Sequence, residues 1–456
     1  MSLADFSTIT VSASAPALTQ VGFGTLGILA YHTLSSDRSK VYTDLDQVLT
    51  DGFEDNSAVY KAVQKALSQS PRIERVKLLR SDNPATVRYK LAPVVSHSTE
   101  YSITLELEGQ DAVEITYTSD GTALASEITA GLKTALELVN GAGEALEDVT
   151  ATQADTNTTL IIEAPEGLAL WASGWRHDRI EFSDITADPG YADDIAAVRA
   201  VDDDWYGLGL ADTNSVAAAS AVAALIETMR KIFVTNTSDT IASDLSETTD
   251  TNSVFSSNAY ARSFCLYDDD TTAGFSGIAS LGNLFPFDPG VGPYAGGVLN
   301  GRTLGGVTAD ALTPTQHDNL ITKGYSIYIT TAGINHVLGG TSGSGEWIDF
   351  TRFVDWYVVR LQEALAALQF NNRRVPYDPR GISMVESVLR SMLEQGKASG
   401  GIAPLDADGK EPSVYVPPLS TTTQQDRAQR VYNGCKTAFQ YAGAIQDVGV
   451  GITITS

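Results

Sequence analysis

Residues 8–15, Thr-Ile-Thr-Val-Ser-Ala-Ser-Ala, alternate strictly: Ile9, Val11, Ala13 and Ala15 share one side, with hydroxyl residues opposite, until Pro16 ends the run. This pattern predicts a half-buried strand. Residues 448–455 repeat it, with Val448, Val450, Ile452 and Ile454 facing one way and Gly449, Gly451, Thr453 and Thr455 the other. A strand without flanking strands exposes unpaired backbone groups, which are satisfied either in its own domain or on a neighbouring chain.

From residue 40 the texture becomes strand, helix, strand: Lys40–Thr43, then Ser57–Ser68 with Val59, Val63 and Leu67 in register, then Arg75–Leu79. It resumes at Trp205–Leu210, followed by a helix over Ser215–Met229 and strands over Lys231–Thr235 and Ser263–Tyr267. A helix over Gln316–Thr322 precedes strands at Tyr325–Thr330 and Ile334–Leu338. Strands alternating with helices predict a central α/β domain with a largely parallel sheet, over residues 23–91 and 191–343.

Residues 92–190 change character. Tyr101–Glu108 and Ala112–Thr118 alternate around a Gly109-Gln110-Asp111 turn, a helix is predicted over Ala123–Val139, and Thr158–Glu163 reads as a strand. They form an inserted β-rich α+β module, since insertions are tolerated where chain ends lie at a surface. The run Gly339–Gly345 reads as a linker into a C-terminal α+β domain over 344–445. There Trp347, Phe350, Val354, Val358, Leu361, Leu365 and Leu368 recur at helical spacing and predict the core stripe of one long helix. A second helix over Gly381–Gln395 stops at Gly396, and Ser413–Val416 and Tyr432–Gln440 read as extended. Arms 1–22 and 446–456 complete a multidomain α/β and α+β chain.

Charge changes this picture. The 456 residues carry a formal charge of −26, a balance that repels phosphate backbones and anionic membranes alike. Residues 92–190 hold 18 acids against 3 bases and 191–270 hold 14 against 4, whereas 1–91 and 271–456 together hold 24 against 23. A single-signed surface keeps molecules apart and a balanced one permits packing, so 92–270 is expected on an exposed face and the rest toward partners. No apolar run is long enough for a membrane span and the first residues lack a secretory signal, so a cytoplasmic place of synthesis is expected. Cys265 and Cys435, far apart and without CxxC spacing, read as small core residues.

Candidate chemistry is sparse. Gly22-Phe23-Gly24-Thr25-Leu26-Gly27 is a literal GxGxxG, with Asp44 and Asp46 at the distance of a ribose-binding acid. The residues after Gly27 are too short and too rich in Ser and Thr for the required helix, so a strand relieved by glycine is the better account; an NAD-dependent oxidoreductase is kept as the alternative. The five histidines have no metal-site spacing, and no nucleophile or phosphate-loop motif occurs. Asp202-Asp203-Asp204 and Asp268-Asp269-Asp270 are either hard-cation ligands or solvated acidic loops. Consecutive residues do not all point inward and EF-hand spacing is missing, which favours the loops. No cofactor, metal or catalytic residue is expected. Arg373, Arg374 and Arg380, around the turn between the two C-terminal helices, are either solvated helix ends or a contact patch for an acidic partner.

Nearly end to end, the chain resembles the tail sheath proteins of contractile-tailed bacteriophages. The resemblance rests on Val21-Gly22-Phe23-Gly24-Thr25-Leu26-Gly27-Ile28-Leu29, Ser68-Gln69-Ser70-Pro71-Arg72, Gly306-Val307-Thr308-Ala309-Asp310-Ala311-Leu312-Thr313 and Ser344-Gly345-Glu346-Trp347-Ile348-Asp349. Asp355-Trp356, Glu394-Gln395-Gly396, Gly400-Gly401-Ile402-Ala403-Pro404 and Ala442-Gly443-Ala444-Ile445 continue it. It is weakest over 92–190, and Asp378-Pro379-Arg380 departs from the family's more usual turn.

The resemblance implies a structural, non-enzymatic virion protein, assembled in the host bacterial cytoplasm as a helical homo-oligomer around a tail tube and contracting to drive the tube through the host envelope. It implies that the arms, here Ile9, Val11, Ala13, Val448, Val450, Ile452 and Ile454, add strands to neighbouring subunits. Arg373, Arg374 and Arg380 are then candidates for tube or neighbour contact, and baseplate and tail terminator proteins are further partners. A non-contractile virion or surface-layer protein is the remaining alternative.

Overall fold

The computed structural model describes residues 22–446 except 33, 36, 82–87, 108–109, 141–144, 166–169, 187–189, 212–214, 271–273 and 293–296. Segments 8–15 and 448–455, and with them Ile9, Val11, Ala13, Val448, Val450, Ile452 and Ile454, lie outside the described residues.

The chain begins with β1 (Leu26–Ala30), β2 (Ser39–Tyr42), α1 (Leu45–Thr50), α2 (Ala58–Leu67) and β3 (Val76–Arg80). A second stretch holds β4 (Arg88–Pro93), β5 (Glu100–Leu107), β6 (Val113–Thr118), α3 (Ala125–Glu137), β7 (Thr150–Ala154), β8 (Thr159–Glu163), β9 (Leu170–Ser173), β10 (Ile180–Thr186) and α4 (Tyr191–Val201). The third runs through β11 (Gly207–Leu210), α5 (Val216–Ile226), β12 (Ile232–Thr237), α6 (Thr251–Ser257), β13 (Ser263–Tyr267), α7 (Ser276–Leu284), α8 (Pro314–Thr322), β14 (Ser326–Thr331) and β15 (Ile334–Leu338). It ends with α9 (Ile348–Asn371), α10 (Pro379–Ala398), β16 (Ser413–Tyr415), α11 (Gln424–Gln429) and β17 (Lys436–Ala438).

These elements form two compact units. The first is built on an eight-stranded sheet of order β15-β14-β13-β12-β11-β1-β3-β2. β1, β11, β12, β13 and β14 run parallel; β15, in a hairpin with β14, and β2, antiparallel to β3, close the two edges. Strands buried on both faces read as unbroken apolar runs, as in Ser263–Tyr267, whose five residues are all buried. α2 begins where the sequence predicts, with Ser57 Oγ accepting from Tyr60 N at the N-cap.

Gly27 lies inside β1, where a Cβ would meet Leu79 Cδ1 at 2.7 Å, and the next described element is the strand β2. The GxGxxG run therefore leads into a close-packed strand, which takes in its Leu26 and Gly27. The helix whose N-terminus would meet a pyrophosphate is replaced by strand, which removes the geometry the dinucleotide reading requires.

The run Gly339–Gly345 is no linker. Gly343 N donates to Ser263 O at 3.0 Å and Ser344 N to Tyr260 O at 2.9 Å, and a Cβ on Gly343 would fall 2.7 Å from the Phe255 backbone. The run is stitched to the start of β13. Phe353, Trp356, Met392, Leu393 and Ile402 of the C-terminal region share one core with the sheet residues.

The second unit, residues 31–38 and 80–201, extends beyond the expected 92–190 at both ends. β4 belongs to it because it pairs antiparallel with β10 and β8 in a four-stranded sheet, β10-β4-β8-β7; a three-stranded sheet, β6-β5-β9, accompanies it. Its core is separate, with Ile128, Leu132 and Leu136 of α3 against Tyr101, Ile103, Leu105 and Ile162. Lys77 Nζ lies 2.7 Å from Asp202 Oδ2, and Ser39 Oγ donates to the same atom at 2.7 Å, so the points where the first unit is left and re-entered are tied together. Asp202 is thus an ion-pair partner, not part of a merely solvated loop.

Candidate assembly surface

α9 decides what the C-terminal region buries and what it presents. Its buried positions are Ile348, Asp349, Thr351, Arg352, Phe353, Asp355, Trp356, Tyr357 and Arg360, a face different from the expected apolar stripe. The apolar count fails because this helix buries charge. Arg262 forks onto Asp355, Nη1 to Oδ2 at 2.7 Å and Nη2 to Oδ1 at 2.9 Å, and Tyr206 OH donates to Oδ2 at 3.0 Å. Arg352, fully buried, donates to the carbonyls of Leu284, Phe23 and Phe287, and burial holds its guanidinium down to about 10.

Of the predicted stripe, Trp347, Phe350, Val358, Leu361, Leu365 and Leu368 are half-buried and Val354 is exposed. Phe370, at the end of the helix, is 67% exposed.

α10 packs on α9 and runs two residues past Gly396 to Ala398. Gly396 serves packing instead of termination: a Cβ there would lie 2.5 Å from Ile402 Cδ1. The left-handed residue that ends the helix is Gly400, φ +82°. At the other end Asp378 caps α10 by accepting from Arg380 N and Gly381 N, with Pro379 at the first helical position.

The chain then returns to α9 through aromatics, with Tyr357 and Phe439 ring centroids 4.8 Å apart and Phe353 and Tyr441 5.4 Å apart. Tyr441 OH donates to Asp349 at 2.8 Å; burial, and after it the Asp349 charge, pushes the phenol well above its usual range. Gln446 accepts from Asn300 Nδ2 at 2.8 Å, which fixes the last described residue to the first unit.

β16 and β17 pair antiparallel with each other, Val414 opposite Thr437, and with no other strand among the described residues. Among the described residues no third strand covers either outer edge of this sheet. None of the described residues from 403 to 446 is fully buried, and Leu405, Tyr415 and Ile445 are 53%, 54% and 82% exposed.

Beside this sheet, between the C-terminal end of α9 and the start of α10, lies a groove of about 560 Å³. Leu365, Leu368, Val385 and Leu389 contribute apolar lining, and Arg373 and Arg374 polar lining. Arg430 and Cys435 join them from 40 residues or more along the chain, which spacing could not reveal. None of Arg373, Arg374 and Arg430 takes part in an ion pair among the described residues. Arg380 does not line the groove; it is exposed and pairs with Asp378 at 3.0 Å. Cys265 is buried as expected, whereas Cys435 is only half-buried.

No helix among the described residues is long and apolar enough to cross a membrane. No family model matches the sequence, and no curated protein matches it significantly. Solved structures do. The sheath of an extracellular contractile injection system, PVC, in its contracted state is similar over 98% of this chain and 98% of that one, at 10% identity and a TM-score of 0.53. The helical sheath of the anti-feeding prophage, AFP, in its contracted state is similar over 99% of this chain and 98% of that one, at 12% identity and a TM-score of 0.50. A sheath tail protein from Desulfitobacterium hafniense aligns over 90% of this chain and 93% of its own length, at 12% identity and a TM-score of 0.46. Across almost its whole length, the chain has the fold of the AFP and PVC sheath proteins.

Proposed function

We propose that this chain is the structural subunit of a contractile sheath, polymerising helically around a tube and held to its neighbours by exchanged strands. The observation that carries the reading is the two-stranded β16–β17 sheet, which no third strand flanks among the described residues. A two-stranded sheet is marginal by itself and an exposed edge invites pairing, so a segment in extended form completes it. Residues 8–15 and 448–455, through Ile9, Val11, Ala13, Val448, Val450, Ile452 and Ile454, are the segments we assign to it, supplied by adjacent copies. Each spans about 27 Å when extended, enough to cross such a sheet.

Apolar surface left uncovered along α9 and over 403–446 supports the same reading, since such surface in one chain marks contact with another. We assign Arg373 and Arg374, and with them Arg380, to contact with an acidic neighbour or tube surface. Tube, baseplate and tail terminator proteins are the partners this role requires. The location is the tail of a virion, assembled in the host bacterial cytoplasm. Contraction is then repacking of subunits that stay linked, because ladder bonds persist while the globular units slide.

Electron microscopy of the purified protein tests the proposal: long hollow tubes are expected, and a monodisperse protein under all conditions contradicts it. A variant in which a short linker replaces residues 81–201 should still form tubes. The second unit has its own core, and Lys77 and Asp202 already hold the junction closed. Loss of tubes in a folded variant would show that this unit is part of the lattice.

A further inference from the structure

At the carboxyl end of β13, where open α/β sheets place their ligands, three acids converge from two segments. One carboxylate oxygen from each of Asp268, Asp269 and Asp310 lies within 4.8 Å of the others. Asp268 and Asp310 are only 3% and 8% exposed, yet no Lys or Arg pairs with any of the three among the described residues. Their partners are backbone amides. Asp268 accepts from Asp270 N at 3.1 Å and Ser276 N at 3.3 Å, Asp269 from Ala311 N at 3.2 Å, and Asp310 from Asp269 N at 3.0 Å and Tyr328 N at 3.4 Å. Buried carboxylates without a cationic side chain are costly unless they are neutralised or hold a metal.

A second feature is independent of the acids. Ser276, at the start of α7 and 0% exposed, sits against Asp268 through its backbone N–H, and its Oγ has no hydrogen-bond partner among the described residues. A buried hydroxyl left over beside Asp268 offers a further oxygen ligand.

We propose that Asp268, Asp269 and Asp310, with the Ser276 hydroxyl, form a binding site for a hard divalent cation of the Ca²⁺ class. The donor set is all oxygen, as such ions require. A Ca²⁺ ion with bonds of about 2.4 Å spans about 4.8 Å between opposite ligands, the range within which the three carboxylate oxygens lie. The ion would cross-link the end of β13, the start of α7 and the loop carrying Asp310. That loop is already pinned to β14 through Asp310 N donating to Tyr328 O at 2.7 Å. The acidic run 268–270 alone does not reveal this site, because Asp310 lies far along the chain and arrives only through the sheet.

The test is calorimetric titration of the full-length protein with CaCl₂ after chelator treatment, at about 0.15 M monovalent salt to screen diffuse binding to the acidic surface. One ion per chain is expected, with a dissociation constant below about 1 mM and a raised unfolding temperature. Asp269→Asn, at an exposed position that leaves the core intact, should weaken binding at least tenfold, as should Asp310→Asn. Absence of saturable binding overturns the proposal, and so does a folded Asp269→Asn protein that binds as tightly as the parent.

Discussion

Asp355→Ala is expected to destabilise the first unit by about 3–5 kcal/mol, the largest effect of any single substitution considered for this chain. The carboxylate is 2% exposed and holds three groups at once: both terminal nitrogens of Arg262 and the hydroxyl of Tyr206. Truncation leaves the Arg262 guanidinium, whose side chain is 19% exposed, and a fully buried phenol without their acceptor. An uncompensated buried cation costs more than the pair contributed, which is why removing one partner is worse than replacing both. Asp355→Asn keeps an acceptor for Tyr206 and should lose less than alanine does. Denaturant titration of the first unit's transition checks both; a loss below about 1 kcal/mol for alanine would show that the pair does not anchor α9.

Deleting residues 447–456 should have the opposite profile, with stability kept and assembly abolished. The last described residue, Gln446, is fixed to Asn300, and Phe439 and Tyr441 hold the preceding chain on α9, so the described C-terminal region has anchors of its own ahead of the final ten residues. Val450→Pro with Ile452→Pro is the subtler form. Each proline removes a ladder N–H on one side of the segment while leaving its length unchanged. Both variants should remain folded by circular dichroism and fail to form tubes under electron microscopy. Tubes of normal length from either one count decisively against pairing of residues 448–455 between copies.

How far such features were legible in the sequence depends on the way each element is buried. β13 and α2 were readable because a doubly buried strand is an apolar run and a capped helix carries Ser at its start. α7 was not. Its nine residues, Ser-Gly-Ile-Ala-Ser-Leu-Gly-Asn-Leu, look like loop composition, yet all are buried, and a Cβ on Gly282 would stand 2.6 Å from Ala66 O of α2. The glycine is there for helix approach.

α9 was found but turned to the wrong face, since Asp349, Arg352, Asp355 and Arg360 occupy the core side and the apolar stripe is left for other surfaces. In the candidate site, Arg373 and Arg374 were visible as a basic pair, but Arg430 joins them only through the fold. That no other described strand flanks β16 and β17 depends on the whole topology, and no local pattern encodes it. The short strands β4, β7, β9 and β10 are defined by register with their neighbours more than by their own composition.

The central claim is that extended segments of one copy complete the open sheet of another. An atomic map of the assembled tube tests it most directly. The account predicts that residues 8–15 and 448–455 run as strands beside β16 and β17 of adjacent subunits, with Val450 and Ile452 in ladder register. A map in which both segments pair within their own subunit, leaving the two sheet edges to solvent, would contradict it.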